Sequence, residues 1–285
     1  MSSIKGRIRK ILPWQVAYYY DFTVKNHIPR LFKKDYSDYI FWDNILGRHI
    51  PHAYLADKYA VRKYVEDKGL GFLLTKLYGV WDNPADIDFA SLPNGFAIKC
   101  NHGCDMNIIC FDKSKLDIDA TRQQLGVWLK QEYEFVYEQQ YRHIKPRIIC
   151  EELIPNNRDG NFPPDYKIHC ANGKPVFIQA CFDRSETDEG RRVLYSPEWK
   201  NLHYVKQDEY YTEKELEAPR HLKEMLEYAS ILSTGLKYAR IDLYDSDERV
   251  YFGEVTLTPF GGWLPYFTQE ALDVMGKAIR EGKKK

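Results

Sequence analysis

Several common solutions are missing from this chain. No run of about 18 apolar residues occurs, and the N-terminus lacks the apolar core of a signal peptide, so a cytosolic protein is expected. Net charge is missing too: 41 Lys and Arg balance 41 Asp and Glu, which leaves no global argument for nucleic acid. The six cysteines include no CxxC, and Cys100-x3-Cys104 has no second pair to match it. Most of them sit in apolar strand-like runs, which argues for buried thiols over zinc ligands or disulfides. The GxxxxGK[ST] phosphate loop is absent, and the chain shows neither an internal repeat nor a low-complexity segment.

What is present is a 285-residue chain with ample core for one large domain or two modest ones. Its 22 tyrosines suit wet, stacking surfaces such as those that face sugars. Charge balances only over the whole length. Residues 1–34 carry eight Lys/Arg against one acid, Asp21, interleaved with Trp14, Tyr18, Tyr19, Tyr20 and Phe22. Two readings fit: an interfacial helix leaning on anionic lipid, and a basic helix packed on the main body, which is the simpler. Pro13 and Pro29 break any single long helix here.

Residues 57–69 read as a helix, with Asp57 as cap, a stripe of Ala60, Val61, Tyr64 and Val65, and Gly69 as stop. Lys58 then falls in the first turn, where a cation opposes the helix dipole and needs a local partner or a bound anion. Residues 72–80 resemble a strand. Residues 96–100 form an apolar strand with Lys99 planted in it, running into Asn101-His102-Gly103-Cys104-Asp105 and a second strand at 106–111. That arrangement suits a phosphate cradle, and equally an edge lysine beside a turn. His102 suits phosphate contact, proton transfer or local stacking. Helices are expected at 119–131 and 133–143, and a strand at 147–154 carrying Glu151-Glu152. Asn172-Gly173 joins strands at 165–170 and 175–182, the strongest short hairpin signal in the chain. Residues 185–212 read as a long polar loop, 219–235 and 269–281 as helices.

Residues 238–244 and 250–257 read as a hairpin around Asp245-Ser246-Asp247-Glu248. Alternation puts Ile241, Leu243, Val255 and Leu257 on one side. Arg240 and Asp242 share the other with Glu254, Thr256 and Thr258 if the turn holds an odd number of residues. Asp242 and Glu254 would then be close enough to hold one hard cation through oxygen, although a solvated edge is the plainer reading of this stretch alone.

Taken in order, ADKYAVRKYV, LPNGFAIKCNHG, IKPRIICEELI, DYKIHCANGKP…DR and YARIDLY…YFGEVTLTPFGG resemble the TupA-like ATP-grasp family, associated with bacterial surface-polysaccharide and teichuronopeptide biosynthesis. The resemblance implies an α+β, ATP-grasp fold with two lobes gripping the nucleotide. Residues 1–56 would be a basic helical N-terminal region and 57–285 the core, divided into 57–150 and 151–285. ATP and Mg2+ are the implied cofactors. Lys58 and Lys99 would contact phosphates, with Asn101, His102 and Gly103 in the loop over them. Glu151, Glu152, Leu153 and Ile154 would form the adenine hinge, and Asp165 would lie near the ribose. Lys167, Arg184 and Arg240 would act on the transferring phosphoryl or acyl phosphate. Asp242, Glu254 and Thr256 would hold metal, Thr256 standing where many ATP-grasp enzymes have asparagine.

The implied reaction is activation of a carboxylate by the γ-phosphate, followed by attack of an amine, with no covalent protein nucleophile. For this family the carboxylate is expected on a small molecule or saccharide such as a sugar acid, with no nucleic-acid partner. Peripheral contact of residues 1–34 with the cytoplasmic membrane face is the other partner considered. Three rivals stand beside it: a glycosyltransferase using one of Asp86-x-Asp88, Asp117-x-Asp119 or Asp245-x-Asp247, an ATP-grasp kinase, and a membrane-bound binding module.

Overall fold

A computed structural model describes residues 13–131, 137–154, 163–183, 190–208 and 210–282. Helix α1 (Trp14–Lys25) starts directly after Pro13, and its chain leaves the helix at Asn26, ahead of Pro29. Tyr18 and Phe22 on its inner side pack against Phe41 of α2 (Tyr36–Ile45). Asp35 and Asp38 cap α2 reciprocally, and Arg30 reaches both carboxylates at 2.6 and 2.7 Å. A short α3 (Ala53–Ala56) leads to α4 (Ala60–Asp67), which ends before Gly69 at a φ of +76°.

Helix α4 begins three residues later than its sequence suggests. The Asp57 carboxylate does cap, accepting from the N–H groups of Tyr59 and Ala60 at 2.8 and 3.2 Å. Lys58 therefore lies in the turn ahead of the helix rather than in its first turn.

The first sheet orders its strands β1-β4-β2-β3, all antiparallel: β1 (Leu77–Trp81), β2 (Phe96–Cys100), β3 (Asn107–Cys110) and β4 (Ile148–Glu151). Strand β1 is shorter than the 72–80 reading because Gly71–Leu73 is a 3-10 turn. Helix α5 (Ile118–Lys130), capped by Asp117, sets Leu125 against Phe96, Ile98, Ile148 and Cys150. Of the helix expected at 133–143, residues 133–136 lie outside the described residues, and Gln139–His143 is 3-10.

The second sheet has the order β7-β6-β5-β8-β9. Strands β5 (Asp165–Ala171) and β6 (Lys174–Phe182) meet at Asn172 and Gly173, with φ of +52° and +78°, both positive as a type I′ turn requires. Strand β7 (Arg191–Tyr195) lies inside the stretch read as a long loop. Val193, Leu194 and Tyr195 are all buried, so this strand shows none of the alternation that marks a half-buried one. Its register comes from β6, where Cys181 faces Arg192 and Gln179 faces Leu194.

One face of this sheet is apolar. Ile168, Ile178, Ala180, Ile241 and Leu243 pack on Met225, Ala229 and Leu232 of α6 (Leu222–Ser233), and Val61 and Val65 of α4 join the same core. Burial of each large aliphatic side chain contributes on the order of 2 kcal/mol. At one end of the opposite face, Phe177, Leu194 and Tyr238 pack on Tyr36 and Ile40 of α2 and Ala271 and Met275 of α7 (Gln269–Glu281). The remainder of that face mixes charged and neutral polar side chains.

Strands β8 (Tyr238–Asp245) and β9 (Val250–Thr256) close the sheet. Asp245 faces Val250, so the turn between them holds four residues, an even number. By that register alone Glu254 would point away from Asp242. Leu243 faces Phe252 while Asp242 faces Glu254, so one residue, Gly253, is bulged out of the ladder. The bulge supplies the odd residue that the turn lacks. A Cβ on Gly253 would lie 2.9 Å from the Asp242 carbonyl oxygen, so the close approach depends on glycine.

Candidate active site

Paired residues of an antiparallel sheet share a face, so the register lays the polar side chains out in rows. The central row runs Gln179, Lys167, Asp242, Glu254 across β6, β5, β8 and β9. One step along lie His169, Arg240 and Thr256; one step the other way lie Arg192, Cys181 and Asp165. The Lys167 ammonium meets Asp165, and lies 2.6 Å from Asp242 Oδ2. Arg240 forks onto Asp242, with Nε and Nη2 each at 2.7 Å, and Nη2 also reaches Glu254 Oε1 at 2.6 Å and Thr256 Oγ1 at 3.0 Å. Thr256 donates to Glu254 at 2.7 Å. Asp165, Lys167, Arg240, Asp242, Glu254 and Thr256 are thus gathered into one network.

Asp242 is 2 % exposed and Arg240 7 %, whereas the Glu254 side chain is 38 % exposed at the rim. Burial pulls the Lys167 ammonium down, but Asp165 and Asp242 outweigh it and hold the group protonated. Burial also opposes the Arg240 charge, and Asp242 and Glu254 overcome it. Among the described residues, Asp165, Asp242 and Glu254 contact Lys167 and Arg240 here, with Arg192 in the adjoining row.

A second network joins the first sheet to helix α4. Lys99 lies 2.5 Å from Glu151 Oε2, and Arg62 lies 2.5 Å from Oε1 of the same carboxylate. Arg62 also donates to the Thr75 carbonyl at 2.7 Å. Burial pushes the Glu151 carboxyl up, and Lys99 and Arg62 outweigh it, so the group sits below the usual carboxylate range. Two cations share one acid.

The loop after β2 is held by Asn101. Its amide donates to Asp57 Oδ1 at 2.8 Å and the Lys145 carbonyl at 3.1 Å, and accepts from the Arg147 N–H at 2.7 Å. The side chain is therefore committed to pinning the start of α4 to the entry of β4. Lys58 donates to the Gly103 carbonyl, which ties the lysine to the loop itself. His102 is buried with Nε2 3.3 Å from the Gln131 carbonyl, and burial lowers its pKa. Glu152 joins the edge of the first sheet: its N–H donates to the Lys76 carbonyl at 2.9 Å, and its carboxylate accepts from the Lys76 N–H at 3.2 Å. Leu153 lies against Gly95, 3.0 Å from where a Cβ would stand, and Ile154 follows it. Arg184 lies outside the described residues.

Thr258, read from sequence on this face, joins the site together with Glu138, Gln140 and Arg192, which were not singled out. Glu138 is 5 % exposed and accepts from Thr258, which also receives the Gln140 amide at 2.7 Å. Burial pushes the Glu138 carboxyl up to about 7, against the Thr258 hydrogen bond, with Arg240 and Glu254 as its charged neighbours. Thr258 continues the alternation of Glu254 and Thr256, and that period was its only signal. Glu138 lies within the helix expected at 133–143, where nothing set it apart from its neighbours. Arg192 is clamped between Tyr210 and Tyr266, with its guanidinium 3.7 and 4.5 Å from the ring centres. None of the three Asp-x-Asp pairs builds a rival site: Asp117 caps α5, and Asp245 is bound by the Arg220 N–H at 2.7 Å and His221 at 2.6 Å. Asp88 holds its own turn through the Ala90 N–H.

Among solved structures, D-alanine–D-alanine ligase from Bacillus anthracis complexed with ATP is similar at 16 % identity and a TM-score of 0.47, over 80 % of this chain. The ATP-grasp ligase PsnB complexed with minimal precursor is similar at 12 % identity and a TM-score of 0.44, over 81 % of this chain. D-alanine–D-alanine ligase from Helicobacter pylori follows at 16 % identity and a TM-score of 0.41, over 79 % of this chain. The chain spans 65 %, 62 % and 61 % of those three proteins. A comparison with curated proteins gives no match. The TupA-like ATPgrasp family matches residues 38–280, which takes in both sheets, both charged networks and the bulged hairpin, and the chain belongs to that family.

Proposed function

We propose that this protein is an ATP- and magnesium-dependent carboxylate–amine ligase that works through an acylphosphate. The observation that carries the reading is the contrast between the two networks. In one, Lys99 and Arg62 share a single buried acid, Glu151, an arrangement that suits the phosphates of a nucleotide. In the other, Asp165, Asp242 and Glu254 gather about Lys167 and Arg240, which suits a divalent cation.

The donor set fits magnesium. Asp242 and Glu254 are oxygen donors on one row and Thr256 lies beside them, a hard-oxygen set of the kind a divalent cation takes. Bound there, the ion would draw charge from the transferring phosphoryl. Lys167 and Arg240 already stand on the same carboxylates, so they are fixed in position before substrate arrives. Lys99 can turn toward a phosphate because Arg62 keeps Glu151 paired. Glu152, Leu153 and Ile154 follow β4 as the hinge segment for adenine. Asp165 braces Lys167, a role compatible with proximity to the ribose.

The carboxylate we assign to a sugar acid in surface-polysaccharide biosynthesis and the nucleophile to an amine, on the strength of the family setting. The test is release of inorganic phosphate from ATP and Mg2+ in the presence of uronic acids and amines. A ligase needs both partners. ADP formation with a stable phosphorylated product and no amine requirement would instead make the protein a kinase. Stabilisation by a UDP-sugar but not by ATP and Mg2+ in thermal melting would overturn the reading altogether.

A further inference from the structure

Among the described residues, the positions other than glycine with a positive φ are Asp105, Asn172, Asp183, Trp199, His203 and Phe260. Asn, Asp and His tolerate this left-handed region, whereas a bulky ring residue is an outlier there and persists only where its surroundings hold it. Trp199 and Phe260 are of that second kind.

The fold treats these two differently. Trp199, at a φ of +61°, stacks on Tyr195 with ring centres 4.0 Å apart, and its indole N–H donates to the Leu216 carbonyl at 2.9 Å. Packing offsets its strain. Phe260, at φ +51° and ψ +31°, meets the Tyr266 ring edge-on at 5.9 Å and is 46 % exposed. A glycine would adopt this backbone without penalty, as Gly261 and Gly262 beside it do. The ring of Phe260 is therefore carried at a cost that its burial among the described residues does little to offset.

The turn that carries it, Pro259–Gly262, is fixed from several sides. Thr258 at its head is held by Glu138 and Gln140, and its carbonyl accepts from the Gly261 N–H at 2.8 Å. The Gly261 carbonyl accepts from the Tyr18 hydroxyl at 2.7 Å, and Gly262 lies against Ile40 of α2, 2.9 Å from where a Cβ would stand. These contacts hold Phe260 in its strained backbone.

The same turn borders the charged face of the second sheet. It follows Thr256 and Thr258 along the chain, and Tyr266, which meets the Phe260 ring, lies 4.5 Å from the Arg192 guanidinium. Burial raises the Tyr266 hydroxyl, and Arg192 and Arg240 pull it back down. One side chain, Tyr266, thus links Phe260 to Arg240, whose charge sits on Asp242 beside Lys167.

We propose that Phe260 is the platform for the ring of the carboxylate substrate, a pyranose that lays its C–H face on the aromatic face while its carboxylate turns toward Arg240 and Lys167. The face of the phenyl ring is negative and the C–H groups of a pyranose are weakly positive, so the two surfaces match in charge as well as in shape. An open-chain carboxylate offers no such face. Phe260 is a positioning group and takes no part in bond making. The inference rests on the ligase reading, whose substrate class it narrows.

The test is saturation-transfer NMR on the full chain with ADP and Mg2+, comparing D-glucuronate with its open-chain counterpart D-gluconate. Wild type should favour glucuronate, with transfer to its ring protons. Phe260→Ala and Phe260→Gly should each weaken glucuronate binding about tenfold and erase the preference. The thermal midpoint of Phe260→Gly should hold or rise, because the backbone strain is released. Equal glucuronate binding by wild type and both variants would overturn the proposal, as would a wild type that binds neither acid or prefers neither. A lower midpoint for Phe260→Gly would make the ring structural and overturn it too. Failure of ATP and Mg2+ to raise the wild-type midpoint would instead defeat the ligase reading, so the two failures are read on different ligands.

Discussion

Lys99 and Lys167 each stand on a central strand of their sheet, and their partners differ. Lys99 shares one acid, Glu151, with a second cation, Arg62. Lys167 is held between two acids, Asp165 and Asp242, with Arg240 and Glu254 continuing the network. On the proposed reading the same residue type on the same kind of strand serves an anion in one network and works beside a cation in the other. The difference lies in the partners the sheet registers deliver. Side-chain identity alone does not set it.

The most severe way to break this comparison is at its acidic end. Asp242→Asn leaves Lys167 and Arg240 short of the acid they share. The rate of ATP-dependent phosphate release should fall by about three orders of magnitude, or roughly 4 kcal/mol of barrier. Initial rates over a magnesium series measure it, and a rate within tenfold of wild type would exclude Asp242 from the chemistry.

Next comes the basic end. Glu151→Gln strands two cations beside a neutral group, which should destabilise the fold by about 3 kcal/mol and be read as a lower midpoint in urea. Lys99→Met keeps the Arg62–Glu151 pair, so its midpoint should move much less while the KM for ATP rises. Equal loss of stability in both variants would mean that Lys99 is chiefly structural.

Gly253→Val tests the register itself. The new side chain meets the Asp242 carbonyl and Tyr244, at a cost of about 1–3 kcal/mol, and the magnesium concentration for half-maximal rate should rise. An unchanged magnesium requirement would show that the bulge survives without glycine.

Glu138 gives a gentler, pH-dependent effect. Its carboxyl is raised from 4.5 to about 7 in the folded protein, so the folded state binds more protons than the unfolded chain between those values. Stability should therefore fall as pH rises through that window, by at most about 1.4 kcal/mol per pH unit. Glu138→Gln should flatten the slope of the thermal midpoint against pH. Last, Lys63 and Asp67 form a fully exposed pair on α4, and Lys63→Ala should leave the midpoint unchanged, which would separate buried from surface charge pairs in one protein.

Much of this architecture was readable where local chemistry acts alone. Residues 269–281 read as a helix, and α7 occupies those residues, with Thr268 as its cap. Asn172-Gly173 demands a tight turn and makes one. The five segments that resemble the TupA-like family lie within the 38–280 match. Strand β7 was not readable, because burial on both faces erases alternation and its pairing with β6 is a contact between separate segments. Arg62 was hidden for a similar reason: its partner Glu151 lies 89 residues away along the chain.

By itself the sequence determined which residues could share a side of each strand, where turns and caps fall, and which groups could carry charge. Those properties follow from backbone geometry over a few residues. Only the tertiary structure decided that Asp242 and Glu254 look the same way. The turn holds an even number of residues, and the matching face is recovered by a bulge packed against the neighbouring strand. It also decided the partners of each buried charge, because pairing in a buried network depends on segments far apart in the chain being brought within a few ångströms.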